Sequence, residues 1–220
     1  MPPRRMTSPQ SSYGPQDVTV LDRRQVFKGF FSIEKLRLRH RLFAGGWSAE
    51  FERELFQRGH AAGVLLYDPV LDQVVLIEQF RVGALPQTPT DDASPWLLEL
   101  VAGVIDEGES AEEVARREAL EEAGCALGEL VHICRYFSSP GGSTEQIDLF
   151  CGRVDASRAG GIHGLAEEHE DIRVHVLPSS EATQALQKGR LNNAMTIIAM
   201  QWLVINKHAL LERWNGRELV

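Results

Sequence analysis

The segment between Gly103 and Cys125 constrains the fold of this chain more than any other part of the sequence. Ser110 followed by Glu113 forms a capping box, which is a typical helix start, and Gly124 is a typical helix stop. A tight loop precedes this start. The spacing therefore predicts a loop and then a helix of about 13 residues, with both ends set by side-chain chemistry.

Three glutamates share one face of this predicted helix. At about 100° per residue, Glu118, Glu121 and Glu122 fall within an arc of about 100°. Like charges four residues apart destabilise a helix, so the cluster favours a bound cation. Mg²⁺ is a hard ion that prefers oxygen ligands, and it fits such a cluster. The alternative is a solvated, glutamate-rich helix face, which is common.

The sequence of this loop and helix resembles the Nudix box, G-x5-E-x7-R-E-U-x-E-E-x-G-U, in which U is aliphatic. Ala119 and Cys125 match the aliphatic positions loosely, although a cysteine can pack as a small apolar side chain. The resemblance implies the Nudix fold, an α+β protein (α/β/α sandwich) with a mixed β-sheet between helices. The matching residues are Gly103, Glu109, Arg117, Glu118, Ala119, Glu121, Glu122, Gly124 and Cys125.

Further segments resemble the bacterial ADP-ribose pyrophosphatase branch of that family from about residue 17 onward. Pro140, 15 residues after Cys125, stands where this branch carries a proline. The resemblance implies Mg²⁺-dependent hydrolysis of the ADP-ribose diphosphate by activated water, giving AMP and ribose 5-phosphate. The matching segments are Arg58 to Ala62, Ile77 to Arg81, Leu98 to Gly103, Ser139 to Gly142 and Gly164 to Asp171.

The resemblance also implies a metal site and its support. Two or three Mg²⁺ ions, with Mn²⁺ as an alternative, would neutralise the diphosphate and acidify a water molecule. We expect Arg117 to pair with Glu109 and to fix the loop rather than to touch substrate. Gly103 and Gly124 complete the structural part of the box. The implied metal ligands are the carbonyl of Ala102 and the carboxylates of Glu118, Glu121, Glu122 and Glu170.

The general base is expected outside the box. By resemblance Glu168 is the base, and it joins Glu118 and Glu122 as the catalytic set. Its loop, residues 167–171, holds four acids immediately before a predicted strand, which suits a segment that closes over substrate. A solvated acidic loop is the alternative interpretation. Glu145, which follows the Ser-Pro-Gly-Gly-Ser-Thr loop, is the rival base. The distance of each carboxylate from the attacking water would decide between the two.

The substrate contacts rest mainly on resemblance. Arg81 is expected to clamp phosphate through its planar guanidinium, although a surface ion pair would explain it equally well. Phe30 and a partner subunit's Arg53 are expected to stack on adenine, with a core role as the alternative for Phe30. The loop residues assigned to substrate are Ser139, Pro140, Gly142 and Glu145, and an ordinary Pro-Gly turn is the alternative for this loop.

The chain is divided at sequence level into three parts. Residues 1–16 are expected to form a disordered tail, 17–57 a small antiparallel β meander for dimerisation and adenine contacts, and 58–220 the Nudix hydrolase domain. Helices are predicted at Ser110 to Ala123, Ser179 to Lys188 and Asn193 to Arg213. Strands are predicted at Val18 to Leu21, Phe30 to His40, Ala49 to Gln57, Ala61 to Tyr67, Val74 to Phe80, Trp96 to Val101, Val131 to Phe137, Gln146 to Val154 and Ile172 to Leu177.

Charge and cysteine content favour a cytoplasmic location and a small-molecule substrate. The net charge is -8, and no basic stripe suggests a nucleic-acid partner. The three cysteines form no C-x-x-C pair, which fits a reducing compartment. The most apolar long segment, Ala194 to Ile205, is too short to span a bilayer, so no membrane partner is expected. A homodimer with shared active sites is expected.

Two other functions stay open. A Nudix enzyme that cleaves a different nucleoside diphosphate sugar, of the GDP-mannose or UDP-sugar type, would carry the same metal box. A catalytically silent module that senses ADP-ribose or a nucleotide would share the fold.

Overall fold

The computed structural model describes residues 11–86 and 94–215. The chain divides into two compact units. The first comprises the residues up to Arg58 together with Ser139–Thr144, and the second comprises Gly59–Ser138 and the residues from Glu145 onward. A short internal loop therefore belongs to the N-terminal unit, although it lies far from that unit in sequence.

The first unit is a three-stranded antiparallel sheet of β1 (Val18–Lys28), β2 (Ser32–His40) and β3 (Phe51–Gln57), in that order. The predicted meander is thus confirmed, but β1 continues past Leu21 through a polar stretch that pairs with β2 across two irregularities.

The predicted tail is shorter than expected at its C-terminal end. Residues 1–10 lie outside the described residues. A turn forms at Pro15–Asp17, and Tyr13 donates a hydrogen bond from its hydroxyl to the carbonyl of Leu42 at 2.8 Å. The ring of Tyr13 also stacks on Phe43, so these residues are ordered by contacts within the first unit.

The second unit contains a mixed sheet in the order β10-β11-β5-β4-β9-β8, with β6 paired to β5 and β7 paired to β4. The pairing of β4 with β9 is parallel, and the other pairings described in this sheet are antiparallel. The strands are β4 (Ala61–Asp68), β5 (Gln73–Phe80), β6 (Trp96–Glu99), β7 (Val101–Val104), β8 (Leu130–Phe137), β9 (Gln146–Arg153), β10 (Gly161–His163) and β11 (Ile172–Pro178).

Helices cover both faces of this sheet. Alternate residues of β4 and β5 point to opposite faces, as the strand period of two requires. One face packs against α1 (Ala111–Ala123), with Val114 and Ala119 buried there. The other face packs against α2 (Ser179–Gln187) and α3 (Ala194–Asn215). The predicted α/β/α sandwich is confirmed.

The strands β4 and β5 pair along only part of their length. Their register joins Leu66 to Val75 and ends at Asp68 and Gln73, near the connecting turn. Beyond that point β7 pairs with β4 and β6 pairs with β5, so the sheet splays.

The single strand predicted over Trp96 to Val101 is therefore wrong. It is two strands separated at Leu100, whose backbone N–H donates to the hydroxyl of Thr196 at 3.2 Å. The short strand β10 was not predicted either, since Gly160 and Gly161, both with positive φ, suggest a loop.

The helix predicted over Asn193 to Arg213 is confirmed, but the expectation that its apolar segment is too short to span a bilayer is wrong. The helix α3 has 22 residues, and its stretch Ala194–Trp214 is long and apolar enough, by length and composition alone, to cross a membrane. A core helix of a globular protein meets the same criterion. Met200, Leu203 and Trp214 of α3 are buried in the core cluster that also contains residues of β4 and β5, so the composition of α3 also fits a core helix.

Candidate active site

The helix α1 begins and ends where the side-chain signals predict. The hydroxyl of Ser110 accepts a hydrogen bond from the Glu113 N–H at 3.3 Å, and the Glu113 carboxylate accepts one from the Ser110 N–H at 2.8 Å. Gly124 adopts the left-handed conformation with φ 64°, which is favourable for glycine. These caps fix the position of every glutamate along the helix.

Gly103 lets α1 approach β7 closely. A Cβ atom added at Gly103 would overlap the carboxylate of Glu118, so a larger residue there would force that side chain to move. The box glycine therefore sets the distance between the strand and the glutamate face of the helix.

Glu122 is the most buried of the box carboxylates. Its side chain accepts a hydrogen bond from the Ala102 N–H at 3.0 Å, and the residue is 2% exposed. Burial, together with the negative charges of Glu118 and Glu170, raises the pKa of Glu122 to about 8. The charge of Arg81 acts in the opposite direction. A divalent cation at this point would favour the ionised carboxylate.

Arg117 holds three carboxylates together. It forms two hydrogen bonds of 3.3 Å with Glu109, one of 2.8 Å with Glu118 and one of 3.2 Å with Glu121. The predicted pairing with Glu109 is present. Burial raises the pKa of Glu118, whereas the neighbouring Arg117 lowers it. Arg117 thus partly offsets a cluster of like charges.

The acidic loop brings Glu170 to this cluster. A carboxylate oxygen of Glu170 accepts a hydrogen bond from the Leu165 N–H at 3.3 Å, and its charge raises the pKa of both Glu118 and Glu122. Glu168 ends a 3-10 turn over Ala166–Glu168, and its side chain lies outside the described part of the structure. The base role of Glu168 therefore stays a prediction.

Arg81 is bound to a residue that the sequence analysis did not single out. Its Nε donates to the buried carboxylate of Glu99 at 2.7 Å, and the Arg81 side chain is 41% exposed. The amide of Asn193 donates to the other oxygen of Glu99 at 2.6 Å. An ion pair is thus present, as the alternative interpretation of Arg81 held, but its carboxylate is buried. Sequence gave no signal for Glu99, because its partners come from distant segments.

The loop expected to contact substrate belongs to the first unit. Ser139 accepts a hydrogen bond from the Gly142 N–H at 3.2 Å, so the Pro140 segment forms a turn. The Phe56 N–H donates to Gly142 at 2.8 Å, which ties the turn to β3. Glu145 is buried in the second unit, where its charge contributes to a raised pKa of Tyr136.

Phe30 and Arg53 also belong to the first unit. Phe30 is 95% exposed and meets Phe31 edge to face at 4.8 Å, so the core role considered for Phe30 is wrong. Arg53 lies over the ring of Phe51 at 4.7 Å. Their contacts with adenine stay a prediction.

Comparison with known proteins decides the family. The sequence profile described as NUDIX domain matches residues 57–197, which include the box helix and the acidic loop. The chain belongs to the Nudix family. Its Nudix region therefore contains the capped helix α1, the splayed strands and the Glu170 loop described above.

Similar Nudix proteins cover most of the chain. The ADP-ribose pyrophosphatase of Escherichia coli (strain K12) is 49% identical over 203 residues, 92% of this chain and 95% of that protein. The GDP-mannose pyrophosphatase of Pectobacterium atrosepticum is 37% identical over 165 residues, 75% of this chain and 80% of that protein. A crystal structure of an ADP compounds hydrolase matches with a TM-score of 0.63 at 22% identity, covering 87% of this chain and 97% of that chain, which supports the fold.

The Nudix carboxylates fit a hard divalent cation in donor type. Glu118, Glu122 and Glu170 have carboxylate oxygens, the donor type that such ions prefer. The charge of Glu170 raises the pKa of both Glu118 and Glu122, and the charge of Glu118 raises that of Glu122. Within the described ranges, no three His, Cys, Asp or Glu side chains are already arranged to hold an ion. Glu118 and Glu121 are bonded to Arg117, so binding of an ion through them requires an exchange of partners.

Proposed function

We propose that this Nudix protein is an enzyme that hydrolyses the diphosphate of ADP-ribose, with water, to AMP and ribose 5-phosphate. The observation that carries the proposal is the carboxylate of Glu122, which is 2% exposed and whose pKa is raised by burial and by the nearby charges of Glu118 and Glu170. Such a site favours cations, and a diphosphate needs cations to lower its charge. The name of the 49% identical relative supports the choice of substrate.

The proposed cofactor is Mg²⁺, two or three ions per site, with Mn²⁺ as an alternative. Its ligands are the carbonyl of Ala102 and the carboxylates of Glu118, Glu121, Glu122 and Glu170. When bound, the ions supply charge neutralisation of the diphosphate and acidify water. The N–H of Ala102 orients Glu122 through a 3.0 Å hydrogen bond, so the carboxylate is held in place before substrate arrives.

Glu168 is the proposed general base, with Glu145 as the alternative. The loop that carries Glu168 also carries Glu170, whose charge already acts on the box glutamates. A base on this loop would therefore lie near the water to be activated. Glu145 is buried near Tyr136. It could act as the base only if the bound substrate and its water lie next to Glu145.

Each unit, taken by itself, offers groups for the proposed substrate contacts. In the second unit, Arg81 is half-exposed while its Nε is bonded to Glu99, and a guanidinium has further donors for phosphate. In the first unit, the fully exposed ring of Phe30 suits stacking on adenine. Arg53 of a partner subunit, Ser139, Pro140, Gly142 and Glu145 complete the proposal.

The proposed state is a homodimer in the cytoplasm with shared active sites and with neither nucleic acid nor membrane as a partner. Exposed apolar side chains on β1 support an association of the first unit with a second copy. Val20, Val26 and Phe27 are each about half exposed there, so an association through β1 would remove apolar surface from water.

A different nucleoside diphosphate sugar is the second candidate substrate, because a GDP-mannose pyrophosphatase is 37% identical. A silent sensing module is disfavoured, since all box carboxylates are present. The test is a panel of ADP-ribose, GDP-mannose and UDP-sugars with Mg²⁺, with products resolved by chromatography. We expect the highest kcat/KM for ADP-ribose. Preference for GDP-mannose, or no turnover of any compound, would contradict the proposal.

A further inference from the structure

Gln79 is a buried polar side chain that the site described so far does not use. It is 6% exposed, and its Nε2 atom is buried without a hydrogen-bond partner among the described residues. An unpaired buried donor destabilises a fold, and buried polar groups in proteins are nearly always satisfied by protein, water or ligand. The described residues therefore supply no acceptor for the side-chain amide of Gln79.

The strand β5 directs Gln79 toward the face that carries the box helix. Residues two apart along a strand point to the same side. Val75 and Ile77 lie in the core cluster under α1, together with Val114 and Ala119. Gln79 is the next residue of that row, so it lies where the apolar core gives way to the charged groups.

Charged groups of the active site flank this position. Register pairs Glu78 with Arg173, so Gln79 lies level with the start of β11, directly after the acidic loop. Glu170 is part of that loop, and Arg81 is two residues further along the chain from Gln79. The charges of both Glu170 and Arg81 act on Glu122. Gln79 is thus at the edge of the carboxylate site.

We propose that Gln79 donates its side-chain amide to a non-bridging oxygen of the substrate diphosphate, which rests on the proposed pyrophosphatase function. The nearby carboxylates already have donors: Glu99 is bound by Arg81 and Asn193, and Glu122 by the Ala102 N–H. An arginine at this position would form an ion pair with the neighbouring carboxylates. The uncharged amide of Gln79 has no charge to attract them. The donor therefore stays available to an incoming phosphate.

The test compares Gln79→Met with Gln73→Met. Methionine keeps the length of glutamine and removes the donor. Gln73 is on the same strand with the same alternation but at the opposite end, so it is the matched control. Four quantities are measured: the thermal midpoint, kcat/KM, the affinity for the non-cleavable α,β-methylene analogue of ADP-ribose with Mg²⁺ by calorimetry, and the affinity for Mn²⁺ alone by electron paramagnetic resonance.

For Gln79→Met we expect an unchanged or higher thermal midpoint, because an unpaired donor is removed. Analogue affinity and kcat/KM should fall by about tenfold or more, as for a lost hydrogen bond to a charged group. Affinity for Mn²⁺ alone should not change. Gln73→Met should leave both affinities unchanged. If Gln79→Met does not fold, Gln79→Leu also removes the donor without adding a charge, and it should weaken analogue binding to the same extent.

Three outcomes would overturn the proposal: unchanged analogue affinity, an equal loss of Mn²⁺ affinity, or a clearly lower thermal midpoint that reveals a structural partner. If the wild type prefers another nucleoside diphosphate sugar, the methylene analogue of that compound is used, because all share the diphosphate. In that case the proposed substrate would be wrong, but the experiment would still test the role of Gln79. A wild type that binds and cleaves none of them refutes both.

Discussion

Because Glu122 is buried, ionisation of its carboxyl group lowers the stability of the folded protein. Its pKa of about 8 lies above the ordinary value of 4.5, so the folded state holds a proton that the unfolded state has lost between these pH values. The contribution of Glu122 to stability without metal therefore decreases as pH rises from 4.5 to 8. A bound cation would remove that dependence by favouring the ionised form.

We predict that Glu122→Gln separates activity from stability. Activity should fall at least a hundredfold, because the metal site loses a charge, while the Ala102 hydrogen bond can be kept by the amide oxygen. In metal-free buffer at pH 8 the variant should be more stable than the wild type by a few kcal/mol, since one pKa unit corresponds to about 1.4 kcal/mol. The measurements are turnover and denaturant unfolding at pH 5 and pH 8.

At pH 5 the stability difference should nearly vanish, because the wild-type carboxyl is then protonated when folded. Near-normal turnover in folded Glu122→Gln would refute the metal assignment. An equal stability gain at both pH values would refute the buried-charge explanation.

Gly103 carries the second prediction at this scale. In Gly103→Ala the added Cβ must displace the Glu118 carboxylate, so kcat should fall by at least about tenfold, and overpacking should lower stability by roughly 1–3 kcal/mol. Gly83→Ala is the control, since nothing lies within 4 Å of a Cβ built there. Kinetics and thermal unfolding provide the measurement. Equal effects of both substitutions would show that the close approach at Gly103 is unimportant.

At the scale of elements, the acidic loop before β11 is proposed to carry both the general base, Glu168, and a metal ligand, Glu170. If Glu168 is the base, Glu168→Gln should lower kcat by about a hundredfold or more with little change in Mg²⁺ dependence. Glu170→Gln should also weaken metal binding, because its charge acts on Glu118 and Glu122. Metal titrations of kcat distinguish the two cases.

Glu167→Gln is the matched control on the same loop. Should Glu145→Gln prove the damaging change and Glu168→Gln the mild one, Glu145 is the base instead.

The elements also show what local sequence can and cannot specify. Ser110, Glu113 and Gly124 act within a few residues of the helix ends, so the ends of α1 were predicted to within one residue. The break at Leu100 was not, because the run from Trp96 to Val101 is uniformly strand-like, and the break follows from the divergence of β4 and β5. The pairing of Arg81 with Glu99 likewise depends on strand register, which no local pattern encodes.

At the scale of the whole molecule, the first unit suggests a dimer whose sites borrow residues from both chains. An Arg53→Ala chain and a Glu122→Gln chain should each be weakly active. After subunit exchange, one site of the heterodimer holds both lesions and the other none, so activity should recover to at most about half of the wild-type value per heterodimer. Turnover before and after exchange is the measurement.

Exchange must be proven separately, for example by native mass spectrometry of tagged chains. Absence of recovery despite exchange, or an active monomer in sedimentation, would contradict the shared site.

The membership of Ser139–Thr144 in the first unit has a consequence for how such proteins can be rearranged. The backbone of Phe56 makes two of the hydrogen bonds that hold this turn, to Gly142 at 2.8 Å and from Thr144 at 3.2 Å. The first unit is therefore built from two separate segments of sequence, so a single recombination event could not add or remove it as a whole. A graft from another protein must bring both the sheet and its six-residue turn, so the two segments are expected to be inherited together.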